Sequence, residues 1–284
     1  MPATSDVGGP WAEIQYTRPT PPTFWVPEHH WPGFLGAGLS EPQRVRLNHL
    51  ACTFMCEMFV HFERYILDYI EGSRPQLRTV VSDTALDRFV AEEVDHTVAF
   101  FRLLELIAPD DYPTRKLRFL KWGFIDRLIM RFMPLPGFFF TAALFEEMTL
   151  YVPVVMAEKL DESFKPILDV MELHAKEERG HVGLDIKILR TYRDRRPRWL
   201  YALQILTSIP VIVHVDKAVA RAWRRQAKAF GQTEGLTRAQ IKQIANRGPS
   251  TSDVMGIHSF IAKLRKHPVP GSRLVCRLIE LFTP

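Results

Sequence analysis

Residues 174–181 read His174-Ala175-Lys176-Glu177-Glu178-Arg179-Gly180-His181, and this stretch decides how the rest of the chain is interpreted. On an α-helix, His174, Glu178 and His181 stand at positions i, i+4 and i+7, so their side chains share one face. The same face carries the apolar residues Ile167, Val170, Met171, Leu184 and Ile188. Because a carboxylate buried without a partner costs several kcal/mol, we expect a cation to compensate it.

A second segment repeats the last part of this pattern. Glu93 and His96 form another Glu-x-x-His motif, on an apolar stripe that includes Phe89, Val90 and Phe100. One such motif arises by chance in many proteins, and a lone histidine on an apolar face is usually a hydrogen-bonded core residue. The repetition is the informative feature, because it provides a carboxylate and an imidazole on each of two helices.

Two further glutamates complete the pattern. Glu63 precedes Glu93 by 30 residues and Glu147 precedes Glu178 by 31 residues, each within an apolar helical segment. Glu57 is the alternative on the first helix, and we prefer Glu63 because its spacing matches that of the second pair. Two Glu-x-x-His helices with one glutamate from each of two others are typical of ferritin-like di-iron proteins. The sequence therefore predicts an all-α fold, a ferritin-like four-helix bundle core with additional C-terminal helices.

Composition divides the chain into three parts. Residues 1–39 are a Pro/Trp-rich N-terminal arm that we expect to pack on the domain, because a free arm has little reason to carry tryptophans. Residues 40–195 are the di-iron four-helix bundle core, with an inserted basic amphipathic helix at 114–133. Residues 196–284 are C-terminal helices packing on the bundle. We interpret the inserted helix as a cover with its charged face in water; the alternatives are a membrane surface or an acidic redox partner.

Capping residues and the positions of Gly and Pro predict the helix boundaries. Gly72 is expected to end the first helix, Pro153 to kink the fourth and Pro210 to kink the sixth. The predicted helices are 40–71, 83–108, 114–133, 137–159, 163–196, 199–230, 237–246 and 252–266, followed by a last apolar turn at 274–282.

Overall composition limits the class of protein. The chain has 284 residues, 46% of them hydrophobic, and a formal net charge of +5. Its three cysteines form no disulfide framework and fit a reducing compartment. We find no secretory signal, and the most apolar window, 138–156, contains two glutamates and a proline, so we predict no transmembrane segment. No nucleic-acid-binding signature is visible. The expected location is the cytoplasm, without a nucleic-acid partner.

The types of ligand indicate iron. Carboxylates and imidazoles without thiolates suit iron or manganese better than structural zinc. His174 is a third histidine, beyond a basic set of four glutamates and two histidines. We predict two iron ions as the cofactor and O2 as the co-substrate. The predicted metal ligands, which are also the predicted catalytic residues, are Glu63, Glu93, His96, Glu147, His174, Glu178 and His181.

This ligand pattern resembles that of the p-aminobenzoate N-oxygenase family. The resemblance covers roughly residues 26–189 and includes the Val-Pro-Glu-His sequence at 26–29 and Glu57, six residues before Glu63. Its distinctive feature is His174, four residues before Glu178. The resemblance implies a di-iron monooxygenase that oxidises an aryl amine in stages, to hydroxylamine, nitroso and nitro products, in a biosynthetic pathway.

The resemblance also implies partners. The substrate would be a small amine, and an external reductase or ferredoxin would supply electrons, because no flavin- or NAD-binding motif is visible in the sequence. A homodimer is compatible with this interpretation. Three alternatives stay open: a di-iron hydroxylase or desaturase acting at carbon, a ferroxidase or iron-binding protein, and a non-catalytic helical interaction protein.

Overall fold

A computed structural model describes residues 9–17, 24–26, 38–112, 116–121, 123–150, 152–153 and 165–246. These residues form helices and no β-strand, in agreement with the predicted all-α class. Two short 3-10 helices lie at Gly9–Glu13 and Pro109–Asp111. The α-helices are α1 (Glu41–Leu77), α2 (Asp83–Ile107), α3 (Phe124–Phe132), α4 (Leu135–Thr149), α5 (Lys165–Asp194), α6 (Arg198–Leu206), α7 (Ser208–Thr233) and α8 (Arg238–Asn246).

Four helices surround the interior in which the predicted ligands lie. α1 packs on α2, α2 on α5, α5 on α4, and α4 on α1, so their contacts close into a ring. α1 and α2 form one extensive antiparallel pair, joined by the short connection 78–82, and α4 and α5 form the other extensive contact. The remaining helices lie outside this ring, with α7 and α8 packed on each other.

α1 is the central helix of the molecule. Every residue from 51 to 63 is buried, whichever way its side chain points. A helix that is buried on all sides belongs to the interior of a larger assembly of helices, and α1 contacts α2, α3, α4 and α7. This position allows Glu63 to project into the ring while neighbouring residues pack against other helices.

α5 buries the face that the sequence pattern defines. Ile167, Val170, Met171 and Ile188 are buried together with the two histidines and the glutamate of that face, and Leu184 is half-buried. The opposite residues of the same helix, including Glu172 and Lys176, are exposed. The 3.6-residue period of the sequence therefore predicted the inward face of this helix correctly.

The predicted end of the first helix is wrong. α1 continues through Gly72 and Pro75 and ends at Leu77, which is fully buried. A glycine inside a helix costs about 1 kcal/mol relative to alanine. Burial of Leu77 offsets this cost, and Arg74 adds an ion pair at 2.5 Å to Asp87 of α2.

The predicted basic helix at 114–133 is also wrong in its first half. Among the described residues of this segment, helix is found only at Phe124–Phe132, because the backbone N–H groups of Arg118, Phe119 and Leu120 donate to the carboxylate of Glu57. Those donors are then unavailable for helical hydrogen bonds. The helix that does form does not hide its apolar side chains as a cover helix would: the side chains of Phe124 and Phe132 are 78% and 71% exposed.

Pro210 does not kink a continuous helix as predicted. The break lies earlier, at Thr207, between α6 and α7. Pro210 is the third residue of α7, where a missing backbone N–H removes no helical hydrogen bond. The ends of the predicted helices 137–159 and 163–196, together with the helix at 252–266 and the turn at 274–282, involve residues outside those described.

The described parts of the N-terminal arm pack on the helices. Trp11 and Trp25 are each 1% exposed. The backbone N–H of Trp25 donates to the side chain of Asn48 at 2.9 Å, and the Trp25 ring stacks on His49 with centroids 3.6 Å apart. Asn48 also donates to the carbonyl of Val26 at 2.8 Å. The tryptophans thus fix short pieces of the arm against α1 and near α5.

One segment is long and apolar enough to cross a membrane by length and composition alone. It is Arg198–Thr233, which comprises α6 and α7, and 28% of its apolar window is buried. Core helices pass the same test, so this single segment is weak evidence for a membrane span. The predicted cytoplasmic location stays a prediction.

Candidate metal centre

Six of the seven predicted ligands converge in the interior of the helix ring. One group is formed by Glu63, His96, His174 and Glu178, and the second by Glu93, His96, Glu178 and His181. Within each group, one potential ligand atom from every residue lies within 4.8 Å of the others. The groups share His96 and Glu178, so they are two adjoining positions.

Local helix geometry explains why these residues meet. On α5 the intervals of four and three residues stack His174, Glu178 and His181 along one face. On α2 the interval of three residues places Glu93 and His96 one turn apart on the face toward α5. α1 adds Glu63 from the other side. All six residues are at most 3% exposed.

The distances inside the cluster are those of groups in direct contact. His174 Nε2 lies 2.9 Å from Glu63 Oε1 and 3.0 Å from Glu178 Oε1. Nδ1 of His181 lies 3.1 Å from Glu93 Oε1, and Nδ1 of His96 lies 3.3 Å from Glu178 Oε1. The cluster therefore contains imidazole nitrogens and carboxylate oxygens of three helices, facing a common interior.

Two carboxylates outside the cluster orient two of its histidines. Nε2 of His96 donates to Glu177 of α5 at 3.0 Å, and Nε2 of His181 donates to Glu92 of α2 at 2.9 Å. Each glutamate directly precedes the glutamate of one Glu-x-x-His motif and binds the histidine of the other. The hydrogen bonds place the proton on Nε2 and leave Nδ1 as an acceptor toward the cluster.

Glu92, the residue directly before Glu93, is one of these two orienting groups. Glu92 is half-buried and accepts hydrogen bonds from both His181 and Arg88. These donors hold the pKa of Glu92 below its ordinary value: the hydrogen bond from His181 outweighs partial burial. The signal was present in the sequence, because both motifs read Glu-Glu-x-x-His and the doubled glutamate is itself repeated.

The cluster fits a cation in its chemistry. Among the described residues, Nδ1 of His96 and of His181, both oxygens of Glu93, and one oxygen each of Glu63 and Glu178 have no hydrogen-bond partner. Buried polar atoms without partners are rare and costly. With Nε2 protonated, Nδ1 of His181 and the Glu93 carboxylate are two acceptors 3.1 Å apart. A proton or a metal ion between them removes the repulsion.

Protons compensate the cluster where no cation is bound. Burial and the neighbouring carboxylate of Glu93 raise the pKa of Glu63 well above its ordinary value. Burial alone lowers the pKa of His181, but the adjacent Glu93, Glu178 and Glu92 carboxylates raise it far above 6.5. Metal binding would displace these protons, as it does at other carboxylate and histidine sites.

Aromatic rings close the cluster from the outside. Phe59 and Phe100 stack at 4.6 Å, and their centroids lie 5.3 Å and 5.1 Å from the ring of His174. Phe89 meets His181 edge-on at 4.3 Å.

From the N-terminal arm, the ring of Trp11 lies 5.4 Å from that of His96. These rings keep water away from the metal-binding atoms. Trp11 also donates to Glu177 at 3.1 Å.

Glu57, the rival of Glu63 in the sequence, has a different role. Its carboxylate accepts four hydrogen bonds, from the hydroxyl of Tyr112 and from three consecutive backbone N–H groups of residues 118–120. A buried carboxylate with four donors is satisfied without a metal. The structure thus places Glu63 in the cluster and Glu57 in a structural anchor for the segment before α3.

The structure does not bring Glu147 into either group. Glu147 is buried on α4. The preceding residue, Glu146, is also buried and outside both groups, and the charges of Glu93, Glu178 and His181 act on its carboxyl group. Asp185 of α5 also lies here, and sequence reasoning missed it. Burial and Asp185 raise the pKa of Glu146 well above its ordinary value. Glu147 as a ligand stays a prediction.

Comparisons with protein-family models, with curated proteins and with solved structures find no match for this chain.

Proposed function

We propose that α1, α2, α4 and α5 form a ferritin-like four-helix bundle that holds two iron ions and activates O2. The observation that carries this proposal is the pair of buried ligand groups sharing His96 and Glu178. Two adjoining groups with common ligands suit two cations about 3.5–4 Å apart, the spacing of two-metal sites. Carboxylate and imidazole donors without thiolates favour iron or manganese.

The residues of the chain have distinct tasks in this proposal. Glu63, Glu93, His96, His174, Glu178 and His181 bind the cations, with a glutamate of α4 as a further ligand. Glu92 and Glu177 keep Nδ1 of two histidines free of protons and pointed at the cations. The phenylalanine rings and Trp11 exclude water. When bound, two ferrous ions would supply electrons and Lewis acidity for the reduction of O2.

For the reaction, we propose N-oxygenation of a small amine, in the first place an aryl amine. The support is the resemblance to the p-aminobenzoate N-oxygenase pattern, in which His174 is the distinctive residue, together with the position of His174 against Glu63 and Glu178. In the first stage one oxygen atom of O2 enters an N–H bond to give a hydroxylamine. The other oxygen leaves as water, with two electrons from an external reductase or ferredoxin and two protons from solvent.

Product analysis tests this function. The protein is loaded anaerobically with ferrous iron, reduced chemically, and exposed to ¹⁸O₂ with a panel of aryl amines. We expect hydroxylamine, nitroso or nitro products that contain ¹⁸O, and none from metal-free protein. An ¹⁸O label on carbon of an alkyl or acyl substrate, with no oxidised nitrogen, would instead indicate a hydroxylase. Uptake of many irons per chain without organic product would indicate a ferroxidase.

A further inference from the structure

We propose that Glu146 and Asp185 are ligands of the second metal position, the one formed by Glu93, His96, Glu178 and His181, and that Glu146 takes the role predicted for Glu147. This inference rests on the proposed metal centre and extends its ligand set by one residue, Asp185, that the repeated motifs do not predict.

Glu146 and Asp185 are buried carboxylates without hydrogen-bond donors around them. Glu146 is 2% exposed and Asp185 is 0% exposed. Among the described residues, none of their four carboxylate oxygens has a hydrogen-bond partner. A buried carboxylate in a metal-free role is normally surrounded by donors, as Glu57 is. No comparable set of donors surrounds Glu146 or Asp185, although both residues are buried in the same protein.

The charged groups around Glu146 and Asp185 belong to the second ligand group. The carboxyl groups of Glu146 and Asp185 face each other, and the charges that act on both are those of Glu93, Glu178 and His181. All three belong to the second ligand group. Glu63 and His174, which occur only in the first group, are not among the main charges acting on either residue. Neither residue belongs to the two groups of closely spaced ligand atoms, so we place the pair at the border of the second position.

Helix geometry accounts for both positions. Asp185 follows His181 by four residues and Glu178 by seven, so it continues the ligand face of α5 by one more turn. Glu146 projects from α4, the helix that packs on α5. Consecutive residues of a helix point about 100° apart, so Glu146 and Glu147 cannot both face the same cation. Both carboxylate oxygens of Glu146 lack a hydrogen-bond partner, so Glu146 is the residue that we assign to the cation.

The donor set suits the cation proposed for the site. The first group already contains two carboxylates and two histidines, and the second gains two more oxygen ligands from this pair. Carboxylate oxygens are hard donors, which favour iron or manganese and stabilise the higher charge of an oxidised ion. A cation between Glu146, Asp185 and the Glu93–Glu178 pair would also neutralise carboxylates that otherwise repel one another across a dry interior.

Cobalt binding to matched variants tests the inference. Metal-free full-length protein is titrated anaerobically with CoCl2, and the visible d–d absorption reports each bound ion. The variants are Glu146→Gln, Asp185→Asn and, as control, Glu147→Gln, which changes an equally buried neighbour on the same helix. Wild type is expected to bind two cobalt ions. Glu146→Gln and Asp185→Asn should weaken the second ion by about 10 to 100-fold, and Glu147→Gln should weaken neither.

Folding is controlled separately. Thermal unfolding of metal-free Glu146→Gln and Asp185→Asn should occur at or above the wild-type temperature, because each of these two substitutions removes a buried carboxylate without a hydrogen-bond partner. Asp185→Glu keeps a carboxylate at this position, so it should bind the second ion more tightly than Asp185→Asn does. Two cobalt ions bound with wild-type affinity in both Glu146→Gln and Asp185→Asn would overturn the inference, as would loss of the second ion in Glu147→Gln alone. Wild type that binds fewer than two cobalt ions would contradict the proposed metal centre itself.

Discussion

The carboxylate of Glu92 lies 2.9 Å from Nε2 of His181, a residue on a different helix of the ring. The reciprocal pair, Glu177 and His96, has nearly the same distance, 3.0 Å. α2 and α5 thus exchange hydrogen bonds between their motifs, and each motif orients the histidine of the other. Because the orienting group comes from the opposite helix, correct docking of α2 against α5 is a condition for a competent site.

Removing either orienting carboxylate should weaken metal binding without unfolding the protein. Glu92→Ala and Glu177→Ala leave Nε2 without its acceptor, so the imidazole loses its fixed orientation. Loss of such a partner typically costs about 10 to 100-fold in metal affinity. Competition with a chelator for ferrous iron measures the effect. Glu172→Ala, an exposed position on α5, is the control. Equal affinities in all three variants would show that the crossed pairs do not support the site.

Glu57 and Glu63 should respond in opposite ways to the same substitution. Glu57→Gln replaces a carboxylate that accepts four hydrogen bonds. It should lower the free energy of unfolding by about 1.5–3 kcal/mol, the range for hydrogen bonds to a charged group, and retain two irons. Glu63→Gln should reduce iron binding but leave the metal-free protein at least as stable, since it removes a buried carboxylate. Urea unfolding and metal analysis of the two variants decide this. Loss of iron in Glu57→Gln alone would contradict the assignment.

How far the sequence predicted these features depends on the kind of geometry involved. Spacing along one helix sufficed for His174, Glu178 and His181, because the rotation between residues on one helix is fixed. The choice between Glu146 and Glu147 depends on how α4 is rotated against α5, which tertiary packing sets and spacing between helices does not. Asp185 was missed because it falls outside the motif. The late start of the basic helix was missed because a distant carboxylate, Glu57, takes the backbone donors of residues 118–120.

His61 should make stability depend on pH in a definite direction. Burial lowers the pKa of His61 from 6.5 to about 4. The unfolded chain therefore binds a proton at higher pH than the folded chain does. The stability linked to the neutral ring is complete above pH 6.5 and is lost as the pH falls toward 4, by up to about 1.4 kcal/mol per pH unit.

The matched variant for this prediction is His61→Gln, which cannot take up a proton. Unfolding free energies of the two metal-free proteins are measured by urea titration between pH 4.5 and 7.5, with a chelator present. Below pH 6.5 the wild type should lose stability faster than His61→Gln, and above it the two curves should run parallel. Parallel curves over the whole range would mean that the ring of His61 titrates normally in the folded protein.

His174 should matter more for the oxygen reaction than for holding iron. It contacts Glu63 and Glu178, and five other members of the cluster stay in place when it is removed. His174→Ala should retain iron with about 10 to 100-fold weaker affinity and give little N-oxygenated product. Stopped-flow absorption after mixing with O2 and product analysis measure both parts. His214→Ala, a histidine bonded to Asp126 outside the cluster, is the control. Wild-type oxygen kinetics in His174→Ala would make this histidine structural and remove the main support for N-oxygenation.

Anaerobic loading with ferrous iron shows whether two irons bind inside the helix ring. Metal-free protein is titrated with ferrous iron, separated from unbound ions, and analysed for metal content and by Mössbauer spectroscopy before and after O2. The account predicts two irons per chain in wild type, oxidised together by O2, and a clear loss in Glu93→Gln and Glu178→Gln. One bound zinc without iron, or two irons retained in both of those variants, would contradict it.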